Sequence, residues 1–329
     1  MVHALPRLDF IDRRKPSMAL SVYWNLSTTA APDRRRAEWG EGERAWVPAR
    51  DAGSRRLQIN HYDYLTQVAR AAELTGFDGL VIPDEPEGEE PWIVTGTLLR
   101  ETRRLRLVTA IAPGSASGVY HAKMASSVQR FSNDRQAWLI DGPRGLAAGD
   151  PVAPQDSAAR TGELLTLAEG IWGDGPFDQE GQHFIVEKGG LGGLVRGRRR
   201  PPVWLRQSEG PGADLLVHAG VLLLDAAVSI DALADLVGDA RRANPSLRIA
   251  ASLPLLTRAD ERDVAVEAAY LDPGPSTLVG TYEAVTAKLR DLAAAGLDIA
   301  VLSAADQIRE VHIAGEQIIG RLRAAAVAA

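Results

Sequence analysis

The chain contains no cysteine, and this absence excludes disulfide bonds, zinc sites with thiolate ligands and thiolate catalysis. No apolar run approaches about 18 residues, so the sequence predicts no transmembrane helix. A basic excess is also missing, since 37 Lys and Arg residues stand against 43 Asp and Glu residues, for a net charge of −6. Phosphate groups attract basic proteins, so we expect neither a nucleic acid nor an anionic membrane as a partner.

Several familiar signals are missing as well. Residues 1–17 carry scattered charges and no hydrophobic segment, so they do not resemble a secretory signal, and we interpret them as an N-terminal extension. A cytoplasmic location is the default expectation. No His and carboxylate pair has metal-binding spacing, and neither a serine elbow nor a P-loop occurs. The arginine-rich run at 196–200 lies in a glycine-rich stretch, which favours a solvated loop.

What is present is a regular alternation of helices and strands, clearest over residues 63–142. Its strands are short apolar runs without polar alternation, a pattern typical of parallel strands buried on both faces. The intervening helices place apolar residues at i, i+3, i+4 and i+7. Gly76 follows the first of these helices, where a left-handed cap is expected. The repeat predicts an α/β fold whose chemistry lies at the carboxyl ends of the strands.

Counting the apolar runs gives eight strands. They are predicted at 18–27, 77–83, 105–113, 136–142, 201–207, 221–227, 248–257 and 299–304. A helix is expected at 158–173 and is followed by a hairpin, Thr281 is expected to cap a helix that Gly296 ends, and 307–325 form the last helix. We therefore predict a single (β/α)8 TIM barrel over residues 18–329, with insertions after strands 1, 4 and 7.

Acidic side chains collect at the predicted strand ends. Asp84 and Glu85 end one strand and either bind a cation or act as a base, while the glutamates that follow are interpreted as solvated, with Glu89 or Glu90 capping the helix that Pro91 opens. His121 is either a general base or, as we favour, a surface or capping histidine. Tryptophans occur on three strands, where they either line a pocket for a planar ligand or pack in the core; they are Trp24, Trp138 and Trp204.

Six stretches together resemble a known family. They are residues 18–26, 69–84, 89–113, 122–135, 174–187, which include the predicted hairpin, and 278–303. In this order they are similar to the bacterial luciferase-like flavin monooxygenases, in particular the alkanesulfonate monooxygenase branch. The resemblance implies reduced FMN supplied by a separate flavin reductase, reaction with oxygen, and oxygenation of a small organic molecule. It also implies a homodimer, or a heterodimer with a paralogue, through helices of the early units.

The positions that do the work in that branch differ in this chain. Thr29 stands where the branch has a histidine, and Gly88 where it has a cysteine. The strand-four Val-Thr-Gly becomes Ile140, Asp141 and Gly142, and the flavin-phosphate His and Tyr positions align with Gln155 and Ala159. The phosphate-binding Gly-Gly-Ser-Ser is replaced by Arg206, Gln207, Ser208 and Glu209, and the Gly-Tyr-Pro-His by Ala304, Ala305, Asp306 and Gln307. The mobile loop after strand seven shrinks to residues 258–279.

These differences leave two hypotheses open. In the first, the chain is an FMN-dependent monooxygenase or oxidoreductase with an atypical site that takes a neutral or cationic molecule. In the second, it is a barrel that has lost flavin and acts as the non-catalytic partner of a paralogue or as a flavin-independent enzyme. The candidate catalytic residues are Asn25, Thr29, Asp84, Glu85 and Asp141. The candidate cofactor-binding residues are Trp24, Asp84, Asp141, Arg206, Ser208 and Glu209, and no metal ligand is expected.

Overall fold

A closed barrel of eight parallel strands forms the centre of the computed structural model. The structure describes residues 20–29, 61–140, 156–173, 175–190, 192–195, 197–207, 212–225 and 229–328. Around the barrel the strands follow chain order, and the ring closes because the seventh barrel strand pairs with both the sixth and the eighth. The predicted (β/α)8 barrel is therefore confirmed. The N-terminal extension lies outside the described residues.

The strands and helices have these bounds. The strands are β1 Ser21–Asn25, β2 Gly79–Ile82, β3 Arg106–Ile111, β4 Gln136–Ile140, β5 Phe177–Glu180, β6 Ile185–Gly189, β7 Val203–Arg206, β8 Val221–Leu224, β9 Arg248–Arg258, β10 Leu278–Thr281 and β11 Ile299–Ser303. The helices are α1 His61–Thr75, α2 Pro91–Glu101, α3 Gly118–Ser132, α4 Ser157–Ile171, α5 Ala213–Leu216, α6 Ile230–Ala243, α7 Glu261–Leu271, α8 Tyr282–Ala294, α9 Gln307–Ile313 and α10 Gly320–Ala328. A π-helical segment, Ala314–Ile319, joins the last two.

Local sequence signals place the helix ends. Glu90 is the N-cap of α2, and its carboxylate accepts a hydrogen bond from the Ile93 backbone N–H at 2.9 Å. The hydroxyl of Thr281 caps α8 in the same way. Gly76 follows α1 with a φ of 95°, a conformation that glycine adopts without steric cost. All three predicted helix boundaries are therefore confirmed.

The alternation of strands and helices departs from strict regularity at β9. This strand has eleven residues, more than any other barrel strand described, and its last four extend beyond the rim. Backbone groups there need hydrogen-bond partners, and β10 supplies them in parallel register from Leu278 to Thr281. Helix α7 fills the connection between the two strands. The predicted hairpin after α4 is present as β5 and β6.

Two apolar shells make the core. Inside the barrel, small and aliphatic residues surround Tyr23 and Trp204, whose rings lie 5.3 Å apart. Between the barrel and the helices a larger shell contains Trp24 and Trp138, both with 0% exposure. Since side chains of a strand alternate between the two shells, the register assigns every strand residue to one of them. Over the described segments, no helix is long and apolar enough to cross a bilayer.

Candidate functional site

The carboxyl ends of the barrel strands form a rim that we call the mouth, and apolar side chains fill the barrel interior below it. Tyr23 pairs with Val301, and Val301 with Ser252, so the three side chains share the barrel interior. Tyr23 and Val301 are buried, whereas Ser252 is partly exposed. Continuing upward, the interior positions Asn25 and Ser303 are also partly exposed. Small and polar side chains therefore surround a recess above an apolar floor.

Charged groups lie at the opposite end of the barrel. Burial raises the pKa of the Tyr23 hydroxyl, even though the nearby Arg106 acts in the opposite direction. Arg248 begins β9 and donates to the Ser21 hydroxyl at 3.0 Å and to the Asp298 carbonyl at 3.3 Å. Interior arginines at this end are thus engaged in hydrogen bonding or electrostatic contact with the barrel floor.

Glu85 organises the segment that leaves β1. Its Oε2 atom accepts hydrogen bonds from the backbone N–H groups of Thr28 at 2.6 Å and Thr29 at 3.0 Å. The same oxygen accepts from the hydroxyls of Ser27 at 3.0 Å and Thr28 at 3.3 Å. A carboxylate with four donors on one oxygen is held in place by its surroundings. The geometry makes Glu85 a positioning residue for the segment 27–29, which carries the Thr29 candidate.

Gln307 fixes the same segment from the other side. Its amide accepts from the Ser27 N–H at 3.0 Å and donates to the Ser27 carbonyl at 3.0 Å. It also accepts a long hydrogen bond of 3.4 Å from the Trp24 indole N–H. His61, at the start of α1, lies with its Nε2 2.8 Å from the Thr28 carbonyl. Side chains from three elements therefore define the path of the chain after β1.

An ion network holds α9, the helix that carries Gln307. Arg258, the last residue of β9, makes two hydrogen bonds to the Glu310 carboxylate, at 2.8 and 3.0 Å. It also bonds Glu267 of α7, which in turn accepts from Arg309 at 2.8 Å. The side chains of Arg258 and Glu310 are 7% and 6% exposed, so solvent screens this pair weakly. The network ties α7 and α9 to the strand end.

Arg206 and Asp225 form an ion pair at the mouth. Arg206 pairs in register with Leu223, which is part of the interior shell, so the arginine faces the interior side of the barrel. Asp225 lies two residues after Leu223, and its Oδ1 is 2.8 Å from the Arg206 Nη1. The alternative orientation of Arg206, toward the helix layer, is not the one observed. The cation at this part of the mouth is paired with a carboxylate.

The other candidate residues lie in different surroundings. Asn25 faces the mouth, and Thr29 accompanies Glu85. Asp84 follows β2 and is partly exposed. Trp24 packs in the helix layer, with its ring edge against Phe77 at 5.9 Å, and therefore does not face the recess. Three candidates lie outside the described residues: Asp141, Ser208 and Glu209.

His121 corrects one expectation. It is 1% exposed and does not cap its helix, because Ser117 is the N-cap of α3, so the surface or capping interpretation is wrong. The ring stacks near Trp92 at 6.4 Å, and its Nε2 lies 3.5 Å from the Ser115 hydroxyl. Burial lowers the pKa of His121 to about 4, so the imidazole is neutral at pH 7.

Sequence reasoning missed three mouth residues. Ser252 and Ser303 lie in apolar strands, and only the barrel register shows that both face the interior. In the sequence, Gln307 is only a replacement within the Gly-Tyr-Pro-His segment of the resembling branch. Its position just after a strand end, however, indicates that it lies near the mouth. No cluster of three or more potential metal ligands occurs within the segments that the structure describes.

Comparisons with known proteins agree with the barrel fold. Residues 44–287 match the family model of luciferase-like monooxygenases. Among solved structures, EDTA monooxygenase from Chelativorans sp. BNC1 superposes with a TM-score of 0.76 at 15% identity, covering 93% of this chain and 94% of that one. A riboflavin lyase with modified FMN and riboflavin gives 0.75 at 16% identity, covering 94% and 93%.

A relative with a different cofactor also matches. Coenzyme F420 dependent tetrahydromethanopterin reductase from Methanopyrus kandleri gives a TM-score of 0.67 at 15% identity, covering 80% of this chain and 96% of that one. Identities this low establish the shared fold alone. The alkanesulfonate monooxygenase branch stays a prediction. The family match spans well over half of the sequence, and the chain belongs to the luciferase-like monooxygenases.

Proposed function

We propose that this protein is an oxidoreductase of the luciferase-like class that uses reduced FMN and oxygen to oxidise a small neutral or cationic molecule. The observation that carries the proposal is the recess above the apolar floor of the barrel. Asn25, Ser252 and Ser303 supply amide and hydroxyl groups around it, and each is partly exposed. A flavin ring is planar and apolar with polar edges, and these residues fit such a group.

The described residues fit the ring better than the phosphate. Helix α5, which follows β7, has only four residues, too short for the phosphate-binding helix start that the resemblance implies. Arg206 is the cation that ends β7, and Asp225 pairs with it. When bound, a reduced flavin supplies the electrons that activate oxygen. The chain's own contribution is to orient the ring through the polar rim and to keep water away from the apolar floor.

Glu85 and Gln307 support this role indirectly. Both hold the backbone of residues 27–29 beside the mouth, and Glu85 uses its carboxylate for that purpose. We therefore assign Glu85 to positioning and leave Asn25, Thr29 and Asp84 as the described candidates for contact with a substrate. Asp141 remains a candidate on sequence grounds.

A second candidate function follows from the same charges. The pairing of Arg206 with Asp225 removes a free cation from the mouth, which favours a barrel that has lost flavin. Such a protein would act as the non-catalytic partner of an active paralogue or as a flavin-independent enzyme. F420, the cofactor named for one structural relative, is a further alternative for the redox role.

Partners remain part of the proposal. Exposed apolar side chains lie on adjacent early helices, where Ile93 of α2 is 59% exposed and Tyr120 and Phe131 of α3 are 54% and 56% exposed. These side chains suit a homodimer, or a heterodimer with a paralogue, formed through α2 and α3. We also propose a separate flavin reductase as the source of the reduced cofactor, and a cytoplasmic location.

The test is a flavin titration of proteins with an open and a filled mouth. We expect oxidised and reduced FMN, the latter under anaerobic conditions, to bind the wild-type protein, with flavin fluorescence as the readout. Ser303→Trp should abolish binding because the indole fills the recess. Ala287→Trp, on the exposed side of α8, is the matched control and should bind as the wild type does. Absence of binding to wild-type protein would refute the flavin role and favour the second candidate.

A further inference from the structure

The Arg206–Asp225 pair has an arrangement that bears on ligand charge. Arg206 ends β7 and Asp225 follows β8, so neighbouring strands place the two side chains together at the mouth. The Arg206 side chain is 10% exposed, whereas that of Asp225 is 36% exposed. The carboxylate is therefore the member on the solvent side. A ligand that enters from the mouth meets negative charge before it reaches the guanidinium.

The position of Asp225 on the solvent side of Arg206 affects how a phosphate group can approach. A phosphate monoester carries nearly two negative charges at pH 7, and arginine is its usual bidentate partner. Here the Nη1 atom that faces the carboxylate is already donating to Asp225 Oδ1 at 2.8 Å. A phosphate would have to displace that carboxylate or approach close to it, and like charges repel. Neutral and cationic groups meet no such barrier.

We propose that Asp225 is a specificity-determining residue that keeps dianionic groups from Arg206 and restricts this side of the mouth to neutral or cationic groups. This inference rests on the proposed function, which identifies the ligand as a flavin.

A purely structural role for the pair makes a different prediction. If Asp225 served only to join the ends of β7 and β8, its replacement would lower the melting temperature and leave anion binding unchanged. The variant Asp225→Asn keeps the size and the hydrogen-bond acceptor of the side chain and removes its charge. Anion affinity therefore separates the two roles.

The first experiment uses inorganic phosphate as the probe, with binding measured by calorimetry at constant ionic strength. We expect Asp225→Asn to bind phosphate about tenfold more tightly than the wild type, since the negative charge that repels an incoming phosphate is removed. Adding Arg206→Gln should cancel the gain. The matched control is Asp239→Asn, which removes a carboxylate paired with Arg242 on the exposed face of α6. Asp225→Asn binding no tighter than the wild type, or a gain that survives Arg206→Gln, would overturn the proposal.

The second experiment compares FMN with riboflavin, which has the same ring and no phosphate. We expect wild-type protein to bind the two about equally, and Asp225→Asn to favour FMN by about tenfold while riboflavin affinity stays constant. Equal changes in both affinities would contradict the proposal. If neither flavin binds any variant, the proposed flavin function fails, and the phosphate experiment alone decides whether Asp225 selects against anions.

Discussion

Removing the charge of Glu267 should destabilise the protein in a pH-dependent way. Hydrogen bonds from Arg258, followed by those from Arg309, lower the pKa of Glu267 from its usual 4.5 to about 2. At about 1.4 kcal/mol for each factor of ten in the ionisation constant, this difference corresponds to about 3 kcal/mol of stability. The Glu267 side chain is 16% exposed, so solvent screening removes little of it. We expect Glu267→Gln to lose about 2–3 kcal/mol at pH 7.

The pH dependence has a defined direction. Because the folded-state pKa lies below the unfolded value, ionised Glu267 stabilises the fold fully above about pH 5, and this contribution is lost as the pH falls toward 2. About half of it should remain near pH 3. Burial raises the pKa of the neighbouring Glu310, which acts in the opposite direction. Wild type and variant share Glu310, so their difference isolates most of the Glu267 contribution.

Urea unfolding measures this difference. We would determine the free energy of unfolding of the wild type, Glu267→Gln and Glu261→Gln from pH 7 to pH 3.5. Glu261 is an exposed residue in the first turn of the same helix, and its replacement should cost less than about 1 kcal/mol. A gap between wild type and Glu267→Gln of under about 1 kcal/mol at pH 7, or one that does not shrink by pH 3.5, would refute the reasoning.

Three other predictions can be checked directly. Gly88→Ala should cost about 1–3 kcal/mol in urea unfolding, because a Cβ there would overlap the Thr28 hydroxyl, whereas Gly96→Ala, with open space around it, should not destabilise α2. Glu209→Ser should tighten FMN binding about tenfold by fluorescence titration, with a further gain from Ala159→Tyr, and tight wild-type binding that neither change alters would contradict this. Light scattering should give about twice the 35.3 kDa chain mass, and a monomer at every workable concentration would exclude the dimer.

The fold could be predicted from sequence because its signals are local and repeated. Each barrel strand is an apolar run, and several helices carry an apolar face with a recognisable cap, as at Glu90 and Thr281. The sequence does not predict strand β10, because residues 258–279 are interpreted as a shortened loop and Thr281 as a helix cap. Strand β10 pairs with the last four residues of β9, which extend past the other barrel strands. The backbone groups there lack hydrogen-bond partners from the barrel, and only the three-dimensional structure shows this.

The site was harder to predict because side-chain direction decides it. Trp24 and Trp204 look alike in sequence, yet the first lies in the helix layer and the second inside the barrel. Arg206 could not be assigned to either side until the register with β8 was known. For Glu85 the sequence suggests a cation ligand or a base, whereas its carboxylate accepts four hydrogen bonds from residues 27–29, which are distant in the chain.

Gly88 shows how a substitution is tied to its surroundings. The resembling branch has a cysteine at this position, but here the Thr28 hydroxyl occupies the space that a side chain would need. The same hydroxyl accepts from the Glu89 N–H at 3.0 Å. A side chain at position 88 is therefore incompatible with the observed position of the Thr28 hydroxyl.

A crystal structure of the protein grown with saturating FMN would test the proposed flavin site directly. We expect the flavin ring to lie in the recess at the carboxyl ends of β1, β9 and β11, in contact with Asn25, Ser252 and Ser303. We also expect the phosphate to make no direct contact with Arg206 while Asp225 is present. A ring bound elsewhere, or an empty recess at saturating FMN, would contradict the proposed site.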